Sequence, residues 1–526
     1  MKKLKHMLRP ALMLLLAALS LTAFITPRAP DSPLTSAAWD TVEFMSTEPR
    51  MIFSPEHLRR TENHIVQRLE DAGLPVMVTE HDLVPEDSIL GADRLKLWVE
   101  NLGFSPDVIE STSTRNIYSY IPGTSDKFVI FNAHYDSFPD SPGAADNATS
   151  VAALLESFID FHQRGEKPEV GIQVLFSDGH EFGFGAGQFV KEHPDLLENT
   201  IFALNFDVVG NGPILPIGGA NEFSNQFFKA VSNPTGFSIL ADAHPLDERF
   251  FAKADIPAMS LVNFTRPWHY HVPSDVIENL SPGTVTHSID VMSRLMEQVS
   301  QTEWAEDFEA EAPTTHFMLA YHVFIQYGGV VRSLISLLAI VSLIGLILLK
   351  RQELQISLKG IFTSIAGVVL LLILYAGISV GAFMLFFRTV DHHPYLIISG
   401  LLLAVLLPLA SYFYLKRLAR FIQYETFAIS IAGVFLTLGL AQAVLMPGTE
   451  YLSLLPVLLI AARLLLPQNK ILYYVSGVLL GLLYLPLLFI MTFVLGMALP
   501  IPALYYVLFI ILFYVLAKNY PKSTPS

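Results

Sequence analysis

Five side chains able to bind a hard or borderline divalent cation, His134, Asp146, Glu181, Asp207 and His271, stand in short stretches far apart along the chain. Imidazole nitrogen and carboxylate oxygen both suit such an ion, and one carboxylate can bridge two ions through its two oxygens. Asp146, in Gly143-Ala-Ala-Asp-Asn-Ala, is the expected bridge. Two ions about 3.5 to 4 Å apart would hold a water between them, lower its pKa and polarise the carbonyl that it attacks. In His134-Tyr-Asp136, residues i and i+2 of an extended chain point to the same side, so Asp136 is expected to orient the imidazole of His134. The chain has no cysteine, which excludes disulfides and thiolate metal sites and leaves only nitrogen and oxygen ligands.

Such distant residues can meet only if the elements carrying them end side by side. The runs Asn116–Ile121, Lys127–Asn132, Gly171–Phe176, Ile201–Phe206 and Pro257–Val262 are short, β-rich and bounded by polar or turn residues. Pro55–Leu69, Ala92–Leu102, Thr149–Gln163 and Gly185–Glu192 have helical apolar spacing. This alternation predicts an α/β fold with a mostly parallel, helix-covered sheet, whose ligands gather beyond the carboxyl ends of the strands. The candidate residues lie there: His134 and Asp136 follow one run, Glu181 follows Val174-Leu-Phe-Ser-Asp-Gly, and Asp207 closes Phe202-Ala-Leu-Asn-Phe.

At 526 residues, 52% hydrophobic and 15% charged, the chain is too apolar for an ordinary soluble protein, and an integral membrane protein is expected. Asp31 to Gly329 holds 44 of the 48 acids but only 16 of the 33 bases. A field of that sign repels phosphate backbones, which argues against nucleic acid as a partner and leaves peptides, small amines or cations. Lys2, Lys3, Lys5 and Arg9 precede the apolar run Ala11 to Ile25, the order of a signal anchor or a signal peptide. After Val330 come seven apolar runs of roughly membrane-spanning length, near 331–349, 361–387, 395–415, 426–446, 452–467, 471–495 and 501–517. Lys and Arg in alternate loops fit a positive-inside arrangement, with both termini cytoplasmic if the anchor is uncleaved and the acidic region extracytoplasmic. The expected organisation is a signal segment over 1–30, a linker over 31–54, one α/β domain over 55–301, a linker over 302–330, and an all-α multi-span transmembrane domain over 331–520 that contacts membrane lipid.

Taken together, His134-Tyr-Asp136, Gly143-Ala-Ala-Asp146-Asn147, Glu181-Phe-Gly183, Asp207 and Tyr270-His271-Val-Pro-Ser-Asp275 resemble the motif set of the co-catalytic zinc aminopeptidases of clan MH. Arg115-Asn-Ile-Tyr-Ser-Tyr-Ile-Pro-Gly and Asp247-Glu-Arg-Phe-Phe-Ala-Lys-Ala-Asp-Ile-Pro-Ala add to the likeness, which spans roughly Pro55 to Gln301. With the anchor and the multi-span C-terminus, the chain looks most like the endoplasmic-reticulum and vacuolar membrane metallopeptidases, in a bacterial form at the plasma membrane. The resemblance implies a zinc exopeptidase fold and two zinc ions, one on His134 and Asp207, the other on Glu181 and His271, with Asp146 shared. It also implies hydrolysis of a peptide or aminoacyl amide at its N-terminal residue. The same scaffold includes carboxypeptidases, amidohydrolases and amide-forming cyclases, so it speaks for acyl chemistry at an amide more than for cleavage direction.

One position departs from the family. Two adjacent glutamates are usual, the first taking the proton of the attacking water; here the pair is His180-Glu181. A neutral imidazole accepts a proton near pH 7, but an imidazolium beside two dications is electrostatically worse than a protonated carboxylic acid, so His180 is expected to be a poorer shuttle. Three readings stay open: a slower or altered hydrolase using His180, another nearby acid as base, or a retained zinc site without hydrolysis in a domain that docks a membrane partner. His269 stands two residues from His271 and could compete as a ligand, while Arg463 is expected to reach an interface from its span.

Overall fold

The computed structural model describes residues 32–208, 210–211, 215–217, 246–263, 269–301, 315–318, 324–349, 356–387, 410–418, 420–445 and 449–466, with shorter pieces beyond. Two compact units lie within Phe24–Ala312 and Pro313–Ser526.

The first unit is built on a seven-stranded sheet of β1 (Met77–Asp82), β2 (Ser113–Ile121), β3 (Phe128–His134), β4 (Gly171–Ser177), β5 (Thr200–Val208), β6 (Leu215–Ile217) and β7 (Ala258–Asn263), ordered β1-β2-β4-β3-β5-β7-β6. The four central strands β4, β3, β5 and β7 run parallel, and β1, β2 and β6 join antiparallel at the edges. The sheet is therefore mixed, parallel where the site lies. Strands β3, β4 and β7 read as nearly continuous apolar runs because helices cover both of their faces. Val129, Phe131 and Ala133 point into a large core with Leu155, Phe158 and Met292, from the helices Ser150–Gln163 and Pro282–Gln301. Ile130, Leu175 and Ala203 point the other way, onto Phe189 and Phe251. Each of the larger side chains among these, fully buried, contributes about 1.5–3 kcal/mol.

Two segments expected to be linkers hold regular elements among their described residues. Within 31–54, Pro33–Met45 is a helix capped by Ser32, whose hydroxyl accepts from the Thr35 N–H at 3.1 Å. Ala38, Val42 and Met45 recur at helical spacing and are fully buried against the main core. Arg50, just beyond, is also fully buried. Within 302–330, Thr315–Met318 and Phe324–Tyr327 pair antiparallel.

The second unit contains the helices Gly329–Leu349, Leu358–Phe387, Tyr424–Leu445 and Tyr451–Leu465. Among the described residues, Gly329–Leu349 and Tyr424–Leu445 are long and apolar enough to cross a membrane by length and composition. The expected runs 395–415, 471–495 and 501–517 lie mainly outside the described residues, and the N-terminal basic and apolar segment lies wholly outside them. Arg463 is 5% exposed within the helical unit.

Candidate metal centre

His134 is the last residue of β3 and Asp207 the last but one of β5, and the register Ala133↔Phe206 sets these two strand ends side by side. Glu181 follows β4 in a short turn, Asp146 lies in the loop between β3 and the helix Ser150–Gln163, and His271 comes from the segment after β7. All five sequence-expected residues thus meet at the carboxyl edge of the parallel strands.

The Asp146 carboxylate lies between two sets of partners. Its Oδ1 is 3.5 Å from His134 Nε2, which is itself 3.8 Å from Asp207 Oδ1. Its Oδ2 is 3.2 Å from His271 Nε2, which is 3.1 Å from Glu181 Oε2. Ligand atoms of His134, Asp146 and Glu181, and separately of His134, His180 and Asp207, cluster within 4.8 Å of one another. His134 Nε2, Glu181 Oε1 and Asp207 Oδ1 are buried with no hydrogen-bond partner. Buried polar atoms are normally satisfied. Converging orphans of this donor type fit divalent metal, zinc included, and these residues are the ones that could hold it.

The electrostatics agree. Burial opposes the charge on His271, but Glu181 and Asp146 outweigh it and lift this imidazole to about 10. For His134 burial is likewise overcome, by Asp136, Asp146 and Asp207, and its pKa lies well above the ordinary histidine value. Burial would raise Asp146, yet the two histidines hold it below the usual carboxylate range. The carboxylates demand positive charge at their centre; bound metal would supply it and release those protons.

Backbone and neighbouring side chains aim the ligands. Gly143 has φ +66°, and a Cβ there would lie 2.3 Å from the Asp146 carbonyl oxygen, so only glycine allows the turn. The Ala145 and Asp146 N–H groups donate to the two oxygens of Asp275 at 2.9 and 3.1 Å. Asn147 donates to the Phe206 carbonyl and accepts from the Val208 N–H, tying the loop to β5 and leaving its sequon buried. His271, at φ +59°, is held between the rings of Phe138 and Tyr270, at centroid distances of 3.9 and 3.6 Å. His269 turns to Ser274 Oγ at 2.8 Å.

Asp136 does more than orient His134. Its backbone oxygen and Oδ1 lie 3.2 and 3.3 Å from His134 Nδ1. Its two carboxylate oxygens also accept the backbone N–H groups of His180 and Glu181. Below it, burial and then Asp136 push the Asp178 carboxyl up to about 8.

His180 stacks on His134 at 4.1 Å between centroids and places Nε2 3.7 Å from Asp207 Oδ2. Its Nδ1 lies 2.7 Å from Asp247 Oδ1. Burial lowers the His180 pKa, but Asp247 and then Asp207 prevail over it and over His134, giving about 9, a charge that bound dications would oppose as they would those on His134 and His271. Sequence reasoning assigned no role to Asp247 or Arg50. The first lies in a recognised stretch without a signal for its partner, and the second sits in what read as linker.

The convergence of these imidazoles and carboxylates is a site able to hold divalent metal. Residues 116–296 match the family model described as Peptidase family M28, about a third of the chain and inclusive of all five residues. A vacuolar membrane protease of Candida albicans is 30% identical over 201 residues, 36% of this chain and 23% of its own. One of Lodderomyces elongisporus is 25% identical over 196 residues, 35% of this chain and 20% of its own. The chain spans about a fifth to a quarter of the length of these curated relatives. Among solved structures, an aminopeptidase from Aneurinibacillus sp. strain AM-1 aligns at 16% identity and TM-score 0.43, over 51% of this chain and 94% of that one. Over this stretch the chain is similar to Peptidase family M28 and to fungal vacuolar membrane proteases. The expected bacterial plasma membrane is corrected: the matching relatives are fungal and named for the vacuolar membrane, which points away from it.

Proposed function

We propose that the chain is a membrane-tethered zinc metallopeptidase of the aminopeptidase type, cleaving the amide bond after the N-terminal residue of a peptide or aminoacyl amide. The observation that carries this reading is the Asp146 carboxylate, with one oxygen toward His134 and Asp207 and the other toward His271 and Glu181. In this reading His134 and Asp207 would hold one zinc, Glu181 and His271 a second, and Asp146 both. Bound zinc would supply acidification of a water and polarisation of the scissile carbonyl.

The remaining steps belong to the chain's own residues. Asp136 orients His134 and fixes the turn bearing Glu181. His180 Nε2 takes a proton from the water as its oxygen bonds to the carbonyl carbon, and returns it to the amide nitrogen as the C–N bond breaks; the acid so formed passes its remaining proton to the amine, giving a carboxylate and an ammonium group. The His180 and His271 side chains are 15% and 24% exposed, against 1–5% for His134, Asp146, Glu181 and Asp207, so substrate approaches on their side. The apolar helices of the second unit support the membrane tether, and the names of the fungal relatives make a vacuolar membrane the one to test.

The test is hydrolysis of aminoacyl amides and of their N-acetylated counterparts by the zinc-loaded full chain in detergent. The free-amine substrates should be cleaved and the blocked ones spared, and Glu181→Ala should lose both zinc and turnover. Unchanged hydrolysis in Glu181→Ala would overturn the reading. A second reading, a zinc-binding domain that docks a membrane partner without catalysis, draws on His180 standing where an acid is usual. Full zinc retention with no hydrolysis of any substrate would select it.

A further inference from the structure

The His180 imidazole is fastened from behind by a residue with no assigned role. Asp247 is 2% exposed, and its Oδ1 lies 2.7 Å from His180 Nδ1. Its Oδ2 accepts the Ala186 N–H at 3.1 Å and the Ser177 hydroxyl at 3.3 Å. The backbone packs so closely there that a Cβ on Gly185 would come within 2.3 Å of Asp247 Oδ1. Asp247 also precedes the helix Glu248–Lys253, a position where aspartate normally caps the first turn with its side chain, yet it makes no such bond. Its carboxylate is committed to His180 instead.

We propose that Asp247 is the positioning residue of an Asp247–His180 dyad that takes the place of the family's first glutamate. The inference rests on the hydrolase reading above. A carboxylate only accepts, so the proton between the two residues sits on Nδ1; in the neutral ring this leaves the lone pair on Nε2. Nε2 is the nitrogen that faces Asp207 and the cluster. When Nε2 takes the proton of the attacking water, the positive charge formed lies against a fixed carboxylate. This answers the electrostatic objection to a histidine beside two dications, because the anion that a glutamate would carry itself is supplied here from 67 residues further along the chain. Asp247→Asn can turn its amide N–H toward Nδ1, which favours the opposite tautomer and removes the lone pair from Nε2.

The dyad is tested on the full chain by three measurements on the wild type, Asp247→Asn, His180→Gln and the double variant. Bound zinc should be equal in all four. Asp247→Asn should lower kcat by roughly 100- to 10,000-fold with little change in KM, the size of effect of losing a general base. In the His180→Gln background the same substitution should add almost nothing, since residues that act as a unit are non-additive. Imidazole 15N spectra of the zinc-loaded protein, with the His180 signal identified by its loss in His180→Gln, should show the neutral Nδ1–H form, which Asp247→Asn should abolish. Additive effects on kcat, loss of zinc in Asp247→Asn, or an Nε2–H or metal-bound signal for His180 would each overturn the dyad. A wild type that hydrolyses nothing would refute the hydrolase reading alone, because the 15N spectra still decide whether Asp247 sets the tautomer.

Discussion

The Asp136 carboxylate accepts the backbone N–H of Glu181 at 3.0 Å through Oδ2, while Oδ1 accepts that of His180 at 3.1 Å. A residue at the end of β3 therefore fixes the turn that follows β4, and through it the direction of Glu181. Asparagine would keep one acceptor and present an NH2 group to the second N–H. Asp136→Asn should weaken zinc binding about 10- to 100-fold, as other residues supporting metal ligands do. Competition with a chromogenic chelator measures this directly, and an unchanged dissociation constant would show that the turn holds without Asp136.

Asp275 plays the matching part for Asp146. It lies four residues after His271, yet it accepts the Ala145 and Asp146 N–H groups, so the last sequence segment of the site anchors the loop that carries the central carboxylate. Asp275→Ala removes both acceptors at once and leaves two buried N–H groups unpaired. Zinc affinity should fall at least as far as in Asp136→Asn, again by roughly 10- to 100-fold or more. Equal zinc titrations for the variant and the wild type would count against this role.

Arg50 should matter for stability before chemistry. Its guanidinium is fully buried and donates to the carbonyls of Met45, Tyr135, Pro142 and Gly143, joining the helix Pro33–Met45 to the loop that follows β3. Burial lowers its pKa to about 10, against the pull of Asp275 and Asp136, so it stays charged at neutral pH. Arg50→Met fills similar space but leaves those carbonyls without donors. The expected loss is at least about 1–3 kcal/mol, the cost of leaving even one buried carbonyl unsatisfied. Thermal unfolding of the full chain would register it as a lower midpoint.

Much of this architecture is legible in the sequence. The apolar runs that became β2, β3, β4, β5 and β7 are visible because strands buried on both faces need few polar residues. Of the five ligand-type residues, His134, Glu181 and Asp207 are visible because they close or follow such a run, and Asp146 and His271 by their local motifs. Strand β1 is not, since Met-Val-Thr-Glu-His-Asp is poor in β-formers and lies at the sheet edge. The helix Pro33–Met45 is hidden by its opening Ser and Pro, which read as linker until Ser32 is seen to cap it. The pairing of His180 with Asp247 has no local signal, because a contact between side chains 67 residues apart follows from how the loops fold rather than from periodicity.

His287 gives a pH dependence away from the metal-ligand cluster. It is 1% exposed in the helix Pro282–Gln301, and neither ring nitrogen has a hydrogen-bond partner. Burial, with a smaller push from Arg294, lowers its pKa to about 4 from the ordinary 6.5. Between those values the unfolded chain carries a proton on His287 that the folded chain does not, so stability must rise with pH across the window. The contribution is fully present above pH 6.5, is lost as pH falls toward 4, and is constant below that; the interval corresponds to about 3 kcal/mol. His287→Leu removes the titrating group together with two unsatisfied nitrogens. Other carboxyls titrate over the same range in both proteins, so the quantity to measure is the difference between variant and wild type in unfolding free energy. It should grow in favour of His287→Leu from pH 6.5 down to 4, and a difference independent of pH would show that this imidazole is protonated within the fold.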